Sequence, residues 1–136
     1  MQQFTHRPSV RLAAALGVTA LIVVFMLMPG DDSAAGRLSD LFGGTDITDA
    51  IGHIGADLIA TAAWYGHFEL SRPPREALSR AAILTVIVGA VVETAQSLVP
   101  DRGTQLLDYA ANMLGVALFV LTHSLRQRRR DRVPMV

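Results

Sequence analysis

The chain has no cysteine, and all twelve of its basic residues are arginine, so it has no lysine either. Without cysteine there is no disulfide framework and no thiolate metal site, and the sequence gives no redox clue to compartment. Also missing are a glycine-rich phosphate loop, a Ser/His/Asp nucleophile motif, an internal repeat and a low-complexity tract. The common nucleotide-binding and hydrolytic signatures therefore do not apply. What the chain has in abundance is apolar surface. Of its 136 residues 51% are hydrophobic and its mean hydropathy is +0.36, which is high for a soluble protein. The chain reads as one membrane domain.

A bilayer core of about 30 Å needs roughly twenty mainly apolar residues per helix. Four segments qualify: 10–28, 50–68, 77–99 and 105–125. The breaks between them carry helix-ending punctuation: Pro29-Gly30, Arg72-Pro73-Pro74-Arg75 and Pro100-Asp101-Arg102-Gly103, with Thr104 placed to cap the fourth helix. The predicted fold is all-α: a polytopic membrane protein of four transmembrane helices, with a basic tail over 126–136.

The formal net charge is zero, but the arginines are clustered. Ten lie in the N-terminal stretch (Arg7, Arg11), the 69–80 connection (Arg72, Arg75, Arg80) and the tail (Arg126, Arg128, Arg129, Arg130, Arg132). Only Arg37 and Arg102 lie in the other two connections. Short cytoplasmic loops retain arginine, so both termini are predicted cytoplasmic and the 29–49 loop, with Asp31, Asp32, Asp40, Asp46 and Asp49, external. Trp64, Tyr65 and His67 then fall near the cytoplasmic interface, where such rings commonly anchor a helix. Residues 1–35 have a rival reading as a signal peptide ending near Ser33-Ala34-Ala35, which leaves the direction of the later helices unchanged. The Arg126–Arg132 run reads as topogenic charge at anionic lipid, not as a nucleic-acid patch.

Against this apolar background the polar residues stand out. His53 and Asp57 are four apart on the second helix, Glu93 and Gln96 lie in the last turns of the third, and Asp108, Asn112 and Gly115 share a stripe of the fourth. The predicted orientation brings all three faces to one level, with Glu93 about 9 Å below the end of its helix. Arg102, in the intervening turn, has the reach to meet Glu93 or Asp108. The expectation is a shallow polar pocket opening outward, weighed against interhelical glue. Intramembrane ionisable groups commonly mark a site, and polar bonds between helices average only about 0.6 kcal/mol. Gly52, Gly55, Ala56, Ala60 and Ala63 are expected to permit close helix packing. His53 with Asp57 and Glu93 matches no defined zinc spacing, so neither metal nor cofactor is expected.

These residues resemble those of the VanZ-like membrane proteins. The pattern is Asp-x3-His (Asp49, His53), then Glu-x2-Gln (Glu93, Gln96), an arginine in the following turn (Arg102), and Asp-x3-Asn-x2-Gly (Asp108, Asn112, Gly115). The resemblance covers about residues 49–119 and is most specific in "ETAQSLVPDRGTQLLDYAANMLG". The chain departs from it at Ala50, where the family has Lys, at Asp57, where it has Tyr, and at Phe119, where it has a second glycine. The resemblance implies a small multi-pass protein of the bacterial cytoplasmic membrane. It also implies a family named for a member linked to resistance to teicoplanin-type glycopeptides.

Three functions compete. In the first, the pocket binds an amphiphilic envelope ligand, lipid-linked or glycopeptide, with Asp49, His53, Asp57, Glu93, Gln96, Arg102, Asp108 and Asn112 about its head and apolar helices about its tail. In the second, the chain is an accessory subunit of a larger membrane complex. In the third and weakest, it is an enzyme with Glu93 as acid and Asp108 as base, but no nucleophile or oxyanion arrangement accompanies them.

Overall fold

A computed structural model describes residues 8–28, 46–99 and 106–131. They form four helices: α1 (Pro8–Met26), α2 (Asp46–Phe68), α3 (Pro74–Gln96) and α4 (Leu106–Asp131). No strand occurs among the described residues. Arg102, Thr104 and the expected loop and cleavage features at 29–45 lie outside them.

Helix α3 shows how the sequence specifies the bundle. Pro74 stands at its first turn, where a missing N–H costs no intrahelical bond, and Glu76 lies beside the positive end of the helix dipole. Glu76 also accepts from Arg72 at 3.1 Å and Arg80 at 2.9 Å, which ties the α2–α3 connection to the first turn. Farther along, Ala81, Thr85, Gly89, Val92, Glu93 and Gln96 are buried, whereas Ile83, Ile87 and Val91 on the opposite face are exposed. A helix that turns Glu and Gln inward and Ile and Val outward is unsuited to water and suited to hydrocarbon. Leu21 and Val24 of α1 and Leu114, Leu118 and Leu121 of α4 continue that apolar exterior.

Helices α1 and α3, and α4 over Leu106–Arg130, are long and apolar enough to cross a membrane. Helix α2 is not among them. His53, Asp57, His67 and three glycines dilute its aliphatic content, and it is also the hub, packed against all three other helices. Helix α1 leans mainly on α2 and touches α3 lightly.

The helices extend beyond the expected apolar spans at four places, by two or three residues at Pro8 and Pro74 and by more at the two that follow. Helix α2 begins at Asp46, and α4 continues to Asp131 with Arg128, Arg129 and Arg130 in its last turn. Hydropathy marks where a helix enters lipid. Arginine and glutamine are good helix formers and prolong α4 past that point, with cations at the negative end of the dipole.

The end of the bundle near the α2–α3 connection is closed by Trp64, Tyr65, Ala15, Ala77, Leu78 and Ala81. Trp64 and Tyr65, expected as interfacial anchors, are instead buried. Trp64 stacks on Phe68 and donates through Nε1 to Thr19 Oγ1 at 3.0 Å, while Tyr65 packs on Phe119 and His123. Each ring fills a space between helices that a lipid-facing rotamer would leave empty. Arg11 joins α1 to this end, donating to Gly66 O and to Glu69 Oε1, each at 2.7 Å.

The small residues divide unexpectedly. A Cβ on Gly52 or Gly55 would meet nothing within 4 Å, so neither serves the close packing expected of it. Gly115 does: a Cβ there would collide with the carbonyl oxygen of Ile54 on α2. Ala60 is buried as expected, and Ala56 lines a crevice beside it.

Candidate functional site

The Ile54–Gly115 approach brings α4 so close to α2 that the next polar side chains meet. Asn112 lies one turn before Gly115, and His53 is the residue before Ile54. Asn112 Nδ2 donates to Glu93 Oε1 at 3.1 Å, which fixes the amide so that Oδ1 faces His53. His53 Nδ1 then stands 3.0 Å from Asn112 Oδ1 and 3.1 Å from Glu93 Oε1. Both neighbours are acceptors, so Nδ1 carries the proton and is shared between them. His53, Glu93 and Asn112, from three helices, close a hydrogen-bonded triangle in which Glu93 is 0% exposed and His53 2%.

Asp57, one turn along α2 from His53, points toward α3. Its carboxylate reaches α3 because residue 89 is glycine: a Cβ there would lie 3.2 Å from Asp57 Oδ2 and 3.4 Å from Asn112 Nδ2. Asp57 Oδ2, Glu93 Oε2 and Thr85 Oγ1 are all buried without a hydrogen-bond partner. Buried polar atoms are nearly always paired, so two unpartnered carboxylate oxygens and a hydroxyl together indicate a missing polar partner.

They face a crevice whose walls include Ile22 and Met26 of α1, Val88 and Val92 of α3, and Trp64 of α2. The crevice spans about 410 Å³ including its open part. Gln96 Nε2 donates to Met26 O at 2.8 Å across one end of it.

Of the residues expected at the pocket, His53, Asp57, Glu93, Asp108 and Asn112 are brought together and buried. Asp108 Oδ1 lies 4.0 Å from His53 Nε2. Asp49 is on the same face of α2 one turn before His53 and is exposed. Gln96 is placed differently from expectation: it satisfies a terminal carbonyl of α1 instead of facing Asn112. Arg102 lies outside the described residues.

Sequence reasoning missed the contribution of α1, and it missed Thr85 and Gly89. The last two were within reach, since Thr85, Gly89 and Glu93 follow one another at four-residue spacing on one face of α3. Helix α1 offers no such stripe.

Compared with known proteins, the chain matches no protein-family model, no curated protein and no solved structure.

Proposed function

We propose that this chain is a VanZ-like protein with four transmembrane helices that binds an amphiphilic ligand of the cell envelope. The head enters the polar centre at Asp57, Glu93 and Thr85, and the apolar part lies in the crevice between α1 and α3. The observation that carries this reading is the set of unpaired polar atoms, Asp57 Oδ2, Glu93 Oε2 and the Thr85 hydroxyl, at the bottom of an apolar-walled crevice. Carboxylate oxygens in such a place call for a donor such as a hydroxyl or an ammonium. The walls around those atoms are mainly apolar, so the ligand is an amphiphile whose donor group reaches the polar floor.

Four spans with both termini cytoplasmic are supported by the arginine distribution and by aliphatic side chains directed outward on all four helices. Helix α2, diluted by its polar face, crosses as the shielded centre of the bundle. The location in the bacterial cytoplasmic membrane and the link to glycopeptide resistance rest on the resemblance at residues 49–119.

The test is mass spectrometry of the protein released from its native membranes in mild detergent, with Ile22→Trp to block the crevice and Glu93→Gln to change its floor. A specific lipid-like species retained by the parent and lost from Ile22→Trp supports the reading. The same lipid profile from parent and Ile22→Trp overturns it, and a stoichiometric protein partner in place of lipid would favour an accessory subunit. Expression in a teicoplanin-sensitive host tests the resistance role, which fails if parent and Glu93→Gln give equal susceptibility.

A further inference from the structure

The triangle uses one ring nitrogen of His53 and leaves the other without a hydrogen bond. Nε2 is buried and faces Asp108 Oδ1 at 4.0 Å, beyond hydrogen-bond reach. With the proton on Nδ1, the neutral ring presents a lone pair at Nε2 toward a carboxylate. A protonated Nε2 would face the carboxylate as an ion pair, still too far away for a hydrogen bond. A cation bound at the Nε2 lone pair would satisfy it and be neutralised by the Asp108 carboxylate beside it.

A third ligand stands beside them. Asp49 precedes His53 by four residues, so the two side chains project from one face of α2. One ligand atom from each of Asp49, His53 and Asp108 lies within 4.8 Å of the other two. Three ligands of one tetrahedral ion stand about 3.4 Å apart at metal–ligand distances near 2.1 Å, so the set closes when the Asp49 carboxylate swings inward by about 1 Å and Asp108 draws slightly toward the ring. Asp49 is exposed and free to make that adjustment.

The arrangement behind the ring points the same way. A metal-bound imidazole characteristically donates its other N–H to a carboxylate or a carbonyl oxygen, which fixes tautomer and orientation. His53 Nδ1 does so to Glu93 Oε1 and Asn112 Oδ1. We propose that Asp49, His53 and Asp108 form a binding site for one divalent metal ion, with Glu93 and Asn112 positioning the imidazole behind it. One imidazole and two carboxylates suit ions of the zinc and manganese class and neutralise a 2+ charge. The exposed Asp49 leaves positions open toward solvent at the N-terminal end of α2. The site is independent of the crevice ligand proposed above, and either can fail alone.

The experiment uses the full chain in detergent micelles, without a histidine tag, stripped with chelator and titrated with Zn²⁺ or Mn²⁺ by calorimetry. Imidazole nitrogen resonances are followed by NMR alongside. The expected result is one ion per chain, with the Nε2 resonance of His53 displaced by the metal and the Nδ1 proton retained. Asp49→Asn and His53→Gln are each expected to weaken binding about 100-fold or more, and Glu93→Gln about 10- to 100-fold through loss of ring orientation. Glu76→Gln, far along α3, serves as the control with parent affinity. Asp49 lies on the surface, so its substitution tests the site even where a buried variant fails to fold. No saturable binding by the parent, parent-like affinity in Asp49→Asn, or a His53 Nε2 resonance indifferent to metal each overturns the proposal.

Discussion

The backbone of Gly115 on α4 rests against the carbonyl of Ile54 on α2, leaving no room for a side chain between them; a Cβ would also come within 3.1 Å of Asp57 Cβ. This approach sets the distance at which His53 and Asn112 meet. Gly115→Ala is expected to force the helices apart and destabilise the protein by about 1–3 kcal/mol, as overpacking in a dense core does. Gly52→Ala and Gly55→Ala enter open space, so they should be neutral or slightly stabilising. Thermal unfolding of the three variants in one detergent separates the cases. Equal midpoints for Gly115→Ala and the parent would show that the contact does not set the spacing.

Asn112 is the only side chain that bonds to both His53 and Glu93 among the described residues. Asn112→Ala is expected to cost about 1–3 kcal/mol, because it leaves buried carboxylate and imidazole atoms with fewer partners. Asn112→Asp should cost more, since it places a second carboxylate at hydrogen-bond distance from Glu93. Denaturant titration of the two variants should rank them in that order; the reverse order would show that the Asn112 amide is not what holds Glu93 in place.

Arg11 holds α1 to the end of α2 through Gly66 O and Glu69 Oε1. The first bond falls on a carbonyl near the negative end of the helix dipole, and the second is partly solvent-exposed. Arg11→Gln should therefore loosen α1 more than Glu69→Gln does. Hydrogen exchange along Pro8–Met26 reads this directly, with faster exchange expected in Arg11→Gln and little change in Glu69→Gln.

A chain without cysteine accepts single cysteines without background labelling. Ser71→Cys, in the exposed α2–α3 connection, is expected to react with an impermeant maleimide only from the cytoplasmic side, and Ser33→Cys only from outside. Reaction of both residues from the same side would exclude four spans.

Much of this arrangement could be read from spacing. The stripe of Asp108, Asn112 and Gly115 and the pairing of His53 with Asp57 each lie on one helical face, and a hairpin between α3 and α4 had to bring Glu93 near Asn112. What spacing could not give was the identity of the neighbour. Gln96 follows Glu93 by three residues and shares its general direction, yet that direction leads to Met26 of α1. Gly52, Gly55 and Gly115 are equally small, and only the crossing of α2 and α4 distinguishes them. Helix α1 is apolar all round, so no periodic signal shows which face it presents. Its polar contacts come from a backbone carbonyl, a threonine and an arginine that otherwise reads as topogenic charge.

Helix α1 is fastened near both ends and once between them, where Thr19 accepts from Trp64. Arg11 grips one end and Gln96 the other, with the crevice lined by Ile22 and Met26 along the stretch that leads to the Gln96 fastening. A rod pinned in this way does not swing out as a door would. A ligand of the proposed kind would have to bow it sideways or undo the bond from Gln96 to Met26 O. Gln96→Leu should therefore free the Met26 end of α1 and leave the Arg11 end held, so that the crevice widens from one side only.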